Sequence, residues 1–216
     1  MLTGPRKDAK SGKTDSLVIF LHGYGADAQD LIGLGDPLAP HLPNTTFLAP
    51  NAPQVCTNNP MGYQWFPIPW LDGSSDADAA AGKAEAEHLL NIWLDDVAKV
   101  EGIAPARTII IGFSQGTMMA LSVAPRRAVA FAGIVGFSGR LLEPQKLADD
   151  ILSKPPVMLI HGDSDEMVSP AYMHEAAETL TAAGFEVYTH ISENTGHSIA
   201  QDGLNMALQF INMKLS

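Results

Sequence analysis

Ile109-Ile110-Ile111-Gly112-Phe113-Ser114-Gln115-Gly116-Thr117-Met118-Met119-Ala120 joins a run of β-branched residues to a helix-forming run through Gly-x-Ser-x-Gly. The order predicts a buried strand, a tight turn and a helix that starts within one or two residues of the serine. A serine at such a turn takes a strained backbone, and the flanking glycines remove side chains that would collide there. Gly136-Phe137-Ser138-Gly139-Arg140 looks similar but has its second glycine in the wrong place, so Ser138 is read as the end of a strand.

Outward from this stretch, short apolar runs alternate with longer helical patterns. The strand-like runs are Leu17–Leu21, Thr46–Ala49, Thr108–Ile111, Phe131–Phe137, Val157–Ile160 and Phe185–Ile191. Four are apolar with little alternation, as strands covered on both faces require, and the last is mixed enough to lie near an edge. The expected architecture is α/β, a mostly parallel central sheet with helices on both faces. A long helix is expected from Ser75 to Gly102, its stripe carried by Leu89, Leu90, Trp93, Val97 and Val100. Another starts at Ser169-Pro170, cap and first-turn proline, and stops at Gly184, and a C-terminal helix aligns Leu204, Leu208, Ile211 and Leu215. The segment 51–73, rich in Pro and Asn, reads as a long loop, and long loops in compact domains are often functional.

The 216 residues, 46% of them hydrophobic and 17% charged, suit one domain over 1–216, with residues 1–15 a frayed basic tail. A single cysteine, Cys56, excludes an intrachain disulfide and a cysteine metal cluster. The net charge of −11 argues against nucleic acid and against anionic membranes as partners. No apolar run backs the basic N-terminus and none is long enough for a bilayer, so neither secretory signal nor stable membrane anchor is expected. These features together make the cytoplasm the expected compartment. A homodimer is compatible with the sequence, closed symmetric dimers being the commonest soluble oligomers.

An elbow serine becomes a nucleophile when a histidine takes its proton and a carboxylate orients that histidine. Two downstream loops supply these types, each after a predicted strand. His161-Gly162-Asp163-Ser164-Asp165-Glu166-Met167-Val168 offers Asp163, Asp165 and Glu166 as acids, with Asp163 also suited to forming a turn. Ser192-Glu193-Asn194-Thr195-Gly196-His197-Ser198 offers His197, the one histidine that follows the acid and lies in a loop. His22 and His161 each end a strand before glycine and read as histidines bonded to backbone near the site. No histidine has metal-ligand spacing with a carboxylate, so neither metal nor cofactor is expected. An oxyanion needs two backbone N–H groups: Gln115, after the nucleophile, is one, and Tyr24 in Leu21-His22-Gly23-Tyr24-Gly25 is the chosen second.

Leu21-His22-Gly23-Tyr24-Gly25, Pro50-Asn51-Ala52-Pro53, Gly112-Phe113-Ser114-Gln115-Gly116, the His161–Val168 loop and Gly196-His197, in this order, resemble the small carboxylesterase/phospholipase family that includes the acyl-protein thioesterases. The resemblance runs from Leu17 to the C-terminal helix. It implies the α/β-hydrolase fold, Ser114 as nucleophile, Asp165 as acid, His197 as base, and cofactor-free hydrolysis of acyl esters or thioesters. Tyr24 replaces a usual leucine, and Trp65-Phe66-Pro67 replaces a usual Trp-Tyr-Asp or Trp-Phe-Asp; both bear on substrate choice. The leading expectation is hydrolysis of small short- to medium-chain acyl esters through an acyl-enzyme. Acyl-protein thioesterase or lysophospholipase activity is the near alternative, and a non-catalytic binding protein the distant one. Trp65 and Phe66 are candidate acyl-pocket residues, against the plainer reading in which loop rings cap the core.

Overall fold

The unalternating apolar runs become the inner strands of one sheet, because a strand covered on both faces has no solvent side to make polar. The computed structural model describes residues 1–216. In chain order it holds β1 (Arg6–Lys7), β2 (Ser16–Leu21), α1 (Ala28–Ile32), α2 (Gly35–Leu38), β3 (Thr45–Leu48), β4 (Gln54–Val55), β5 (Tyr63–Gln64), α3 (Pro69–Asp72), α4 (Asp76–Glu101), β6 (Thr108–Phe113), α5 (Gln115–Val123), β7 (Gly133–Phe137), α6 (Leu147–Asp150), β8 (Val157–Gly162), α7 (Ala171–Ala182), β9 (Val187–Ser192) and α8 (Gln201–Leu215).

Seven strands form the central sheet in the order β1-β3-β2-β6-β7-β8-β9, all parallel except β1. One face is covered by α4, α5 and α7, through Leu90, Trp93, Met119, Leu121, Met173 and Leu180. The other is covered by α1 and α8, through Leu31, Ile32, Leu204, Phe210 and Ile211. After β2 the chain adds β3 on one side, and after β6 it adds strands on the other. The crevice above the carboxyl ends of β2 and β6 is therefore the switch point at which open α/β sheets bind ligands. No helix is long and apolar enough to cross a membrane.

The N-terminal segment departs from the expected frayed tail. β1 pairs antiparallel with β3, Ala49 and Asn51 donate backbone bonds to Pro5 and Thr3, and Leu2 is buried. Its stabilisation is backbone pairing that closes the β3 edge, with Arg6 on Glu101 and Lys7 on Asp36, so no apolar periodicity marks it. Segment 51–73 is likewise organised, by the β4–β5 hairpin and α3.

The long helix has the expected ends: Ser75 makes a reciprocal capping box with Asp78, and Gly102 closes it at φ 68°. Val100 leaves the predicted stripe and is exposed, because the last turn outreaches the core beneath it. In α7 the cap falls one residue later than expected, at Pro170, with the Ser169 hydroxyl accepting from the Ala171 amide at 3.3 Å. Mixed β9 lies at the sheet edge, as its pattern implied.

Candidate active site

Ser114 joins β6 to α5 with φ 53° and ψ −113°, a conformation that costs a non-glycine residue about 1–3 kcal/mol. The two motif glycines allow this turn by close approach. A Cβ on Gly112 would lie 2.4 Å from the Thr117 amide nitrogen, and one on Gly116 would lie 1.8 Å from the Leu21 carbonyl oxygen. Either added methyl would force α5 away from the sheet. Ser138 directly follows Phe137, the last residue of β7, so the strand stops where expected, although Ser138 too has a positive φ, of 47°.

Asp165 and His197 meet between the loops after β8 and β9. Asp165 Oδ2 lies 2.8 Å from His197 Nδ1, and Oδ1 accepts the Met167 and Val168 amides at 2.9 Å each. Burial alone would raise the Asp165 pKa, but the Val168 amide, His197 and the Met167 amide outweigh it and hold the carboxyl below its ordinary value. Asp165 is therefore an anion that fixes the Nδ1–H tautomer of His197 and leaves Nε2 as an acceptor. His197 packs against Phe113 with ring centroids 4.9 Å apart, and its ring is partly open to the cleft. The Ser114 hydroxyl and His197 line the same cleft of about 1140 Å³ without being hydrogen-bonded. Such bonds commonly tighten only around substrate.

The competing acids lie elsewhere. Asp163 is exposed and accepts the Ser164 hydroxyl and the Thr195 amide, holding the histidine loop, and Glu166 is exposed. His161 sits behind Asp165, its Nε2 at 2.8 Å from the Val168 carbonyl and 3.2 Å from Asp165 Oδ2. Two acceptors around Nε2 require the proton there, and burial lowers the His161 pKa, so the ring is a neutral donor. Its backbone bond fits the sequence reading; its second contact, on the acid, was not foreseen.

Gln115 opens α5, where an amide has no intrahelical acceptor, and Tyr24 has no protein partner for its own N–H. Both residues line the cleft. The role expected of Gln115 was its backbone amide alone, yet its side chain is fully buried and clamps segment 51–73. Gln115 Oε1 accepts the Trp65 amide at 2.8 Å, and Nε2 donates to the Phe66 carbonyl at 2.7 Å. The Tyr24 hydroxyl donates to Asp72 at 3.1 Å, and burial with Cys56 and Asp72 nearby pushes its pKa up, keeping it protonated.

Trp65 is not a cleft residue, contrary to its candidacy as an acyl-pocket side chain. It is fully buried, and its indole N–H donates to the His22 carbonyl at 2.9 Å. His22 in turn accepts the Ala52 amide at Nε2, 2.9 Å, and bonds the Gly23 carbonyl through Nδ1, 2.8 Å. The ring turned inward fills core space and places its indole N–H on this buried carbonyl, which Phe66, having no polar atom on its ring, could not satisfy. Phe66, the next residue, does line the cleft, with Ile68, Met118, Leu141 and Val168.

The model of the phospholipase/carboxylesterase family matches residues 5–215. A solved structure of esterase PE8 is 45% identical, with TM-score 0.94 and 99% of each chain covered. Acyl-protein thioesterase 1 of Gibberella zeae is 28% identical over 92% of this chain and 90% of its own length. Esterase YpfH of Escherichia coli is 25% identical over 90% of this chain and 81% of its own. These likenesses span every strand and loop that builds the cleft: the chain belongs to the phospholipase/carboxylesterase family and is an α/β-hydrolase enzyme acting on carboxylic esters.

Proposed function

We propose that this hydrolase cleaves short- to medium-chain acyl esters through an acyl-enzyme, with Ser114, His197 and Asp165 as its triad and residues 1–216 acting as one catalytic domain. The observation that carries the reading is the buried Asp165 anion 2.8 Å from Nδ1 of His197, whose ring lines the cleft together with the strained Ser114. In this reading His197 Nε2 takes the Ser114 proton as Oγ attacks the acyl carbon. The amides of Gln115 and Tyr24 carry the oxyanion of the tetrahedral intermediate. Collapse expels the alcohol, protonated by His197, and water then repeats the sequence to free the acid. Phe66 and Met118 form the apolar wall for the acyl chain.

The test compares p-nitrophenyl acetate, butyrate and octanoate with a palmitoyl thioester and a lysophospholipid, in wild type and Ser114→Ala. Turnover of the short esters should dominate and fall by about 10³-fold or more in the variant. Unchanged turnover in Ser114→Ala overturns the nucleophile. Preference for the thioester transfers the assignment to the acyl-protein thioesterase activity named for the fungal relative.

A further inference from the structure

Arg140 lies three residues beyond Phe137, the end of β7, and lines the cleft with Ser114 and His197. Its approach is set by Gly139, where an added Cβ would stand 2.4 Å from Thr117 Cβ and 2.9 Å from the Ser114 carbonyl oxygen. The turn thus rests on the backbone of the nucleophile itself. The Arg140 guanidinium lies over the Tyr172 ring, its Cζ 5.3 Å from the ring centroid, and makes no ion pair or hydrogen bond within the protein.

The other cleft cations differ. Lys83 bridges Glu87 at 2.7 Å and Glu143 at 3.4 Å, and Lys146 pairs with Glu143. Of the remaining cleft carboxylates, Asp76 sits in the first turn of α4 and Glu175 is exposed on α7, and neither reaches Arg140. In a chain with 24 acidic and 13 basic residues, one arginine lining the nucleophile's cleft is left without a carboxylate. A guanidinium held over a ring by cation–π attraction, with none of its N–H groups bonded within the protein, has donors left for a planar anion, which it can meet with two parallel hydrogen bonds.

We propose that Arg140 anchors a carboxylate on the substrate itself, making esters that carry a free carboxylate, such as half-esters of dicarboxylic acids or esters of hydroxy acids, the preferred substrate class. The proposal rests on the ester hydrolase reading and adds a second point of attachment to it. The carboxylate can belong to the acyl or to the alcohol side, and the assay separates the two. Mono-p-nitrophenyl adipate is compared with p-nitrophenyl hexanoate, and the butyrate ester of 6-hydroxyhexanoate with hexyl butyrate followed by acid release.

The readout is the kcat/KM ratio of each charged ester to its neutral partner, which cancels any general loss of folding or chemistry. Arg140→Gln should lower that ratio by ~10-fold or more for one pair, through KM, and Arg140→Lys should restore part of it. Lys83→Gln should move the same ratio less, since Lys83 is already paired. Ratios that stay within about twofold of wild type in Arg140→Gln for both pairs overturn the anchor while leaving the esterase intact. A wild-type enzyme that hydrolyses none of the four esters removes the esterase reading and the proposal with it.

Discussion

Replacing Gln115 by methionine keeps the length and bulk of a fully buried side chain while deleting both of its hydrogen bonds. The Trp65 amide and the Phe66 carbonyl would then lose partners now at 2.8 and 2.7 Å. Leaving a buried polar group unsatisfied costs about 1–3 kcal/mol, so the pair costs about 2–6 kcal/mol. At roughly 2–4 °C per kcal/mol for a chain of this size, a mid-range cost lowers Tm by on the order of 10 °C. Gln115→Glu should not rescue, because one oxygen still accepts the Trp65 amide but the other faces the Phe66 carbonyl, and the charge is buried. Thermal unfolding by circular dichroism measures both variants. Because Phe66 edges the cleft, kcat/KM for a medium-chain ester should fall at temperatures where the variant is still folded. A Gln115→Met Tm within about 2 °C of wild type would refute the clamp and mean that segment 51–73 is held by its hairpin and by packing alone.

The other expectations follow from the same geometry. Asp165→Asn should cost about 10³-fold or more in kcat by mis-setting the His197 tautomer, while Asp163→Asn should cost less than about tenfold; steady-state kinetics giving the reverse order would make Asp163 the acid. Trp65→Ala should cost about 3–5 kcal/mol of stability and leave the butyrate-to-octanoate ratio of kcat/KM nearly unchanged, whereas an unmoved Tm with a shifted ratio would return Trp65 to the pocket. His22 and His161 both have pKa values lowered by burial, so on acidification the unfolded chain binds protons first, near a pH of about 6.5. Stability is therefore full above that pH and lost as pH falls toward the folded-state values. His161→Gln should show a smaller Tm drop between about pH 7.5 and 5.5 than wild type, and an equal drop would remove His161 from the account.

Much of this arrangement is written in local patterns. The apolar runs ending at Leu21, Ile111, Phe137 and Ile160 name the inner strands, two of which run on to Phe113 and Gly162, because burial on both faces leaves no polar alternation. Ser75 and Gly102 name the ends of α4 because caps are local hydrogen bonds and local φ angles. The candidate triad was legible because a sharp turn demands glycines, and because loops after parallel strands share one edge of the sheet. The resemblance to the family then singled out Asp165 from its neighbours, which spacing alone left open.

What required tertiary structure was contact between segments far apart in the chain. β1 is a strand only because β3 offers an unpaired edge far along the chain, Arg6 facing Leu48 and Lys7 facing Phe47. Whether Trp65 or Phe66 faced the cleft could not be read from two adjacent aromatics. The choice was made by the His22 carbonyl, 43 residues earlier, and by the Gln115 side chain, 50 residues later. Likewise nothing near Arg140 in the sequence tells that its guanidinium lies over the Tyr172 ring without a carboxylate partner. Periodicity reports which side of an element is apolar, whereas hydrogen-bond satisfaction in a buried site depends on which distant donor and acceptor the fold brings within 3 Å or so of each other.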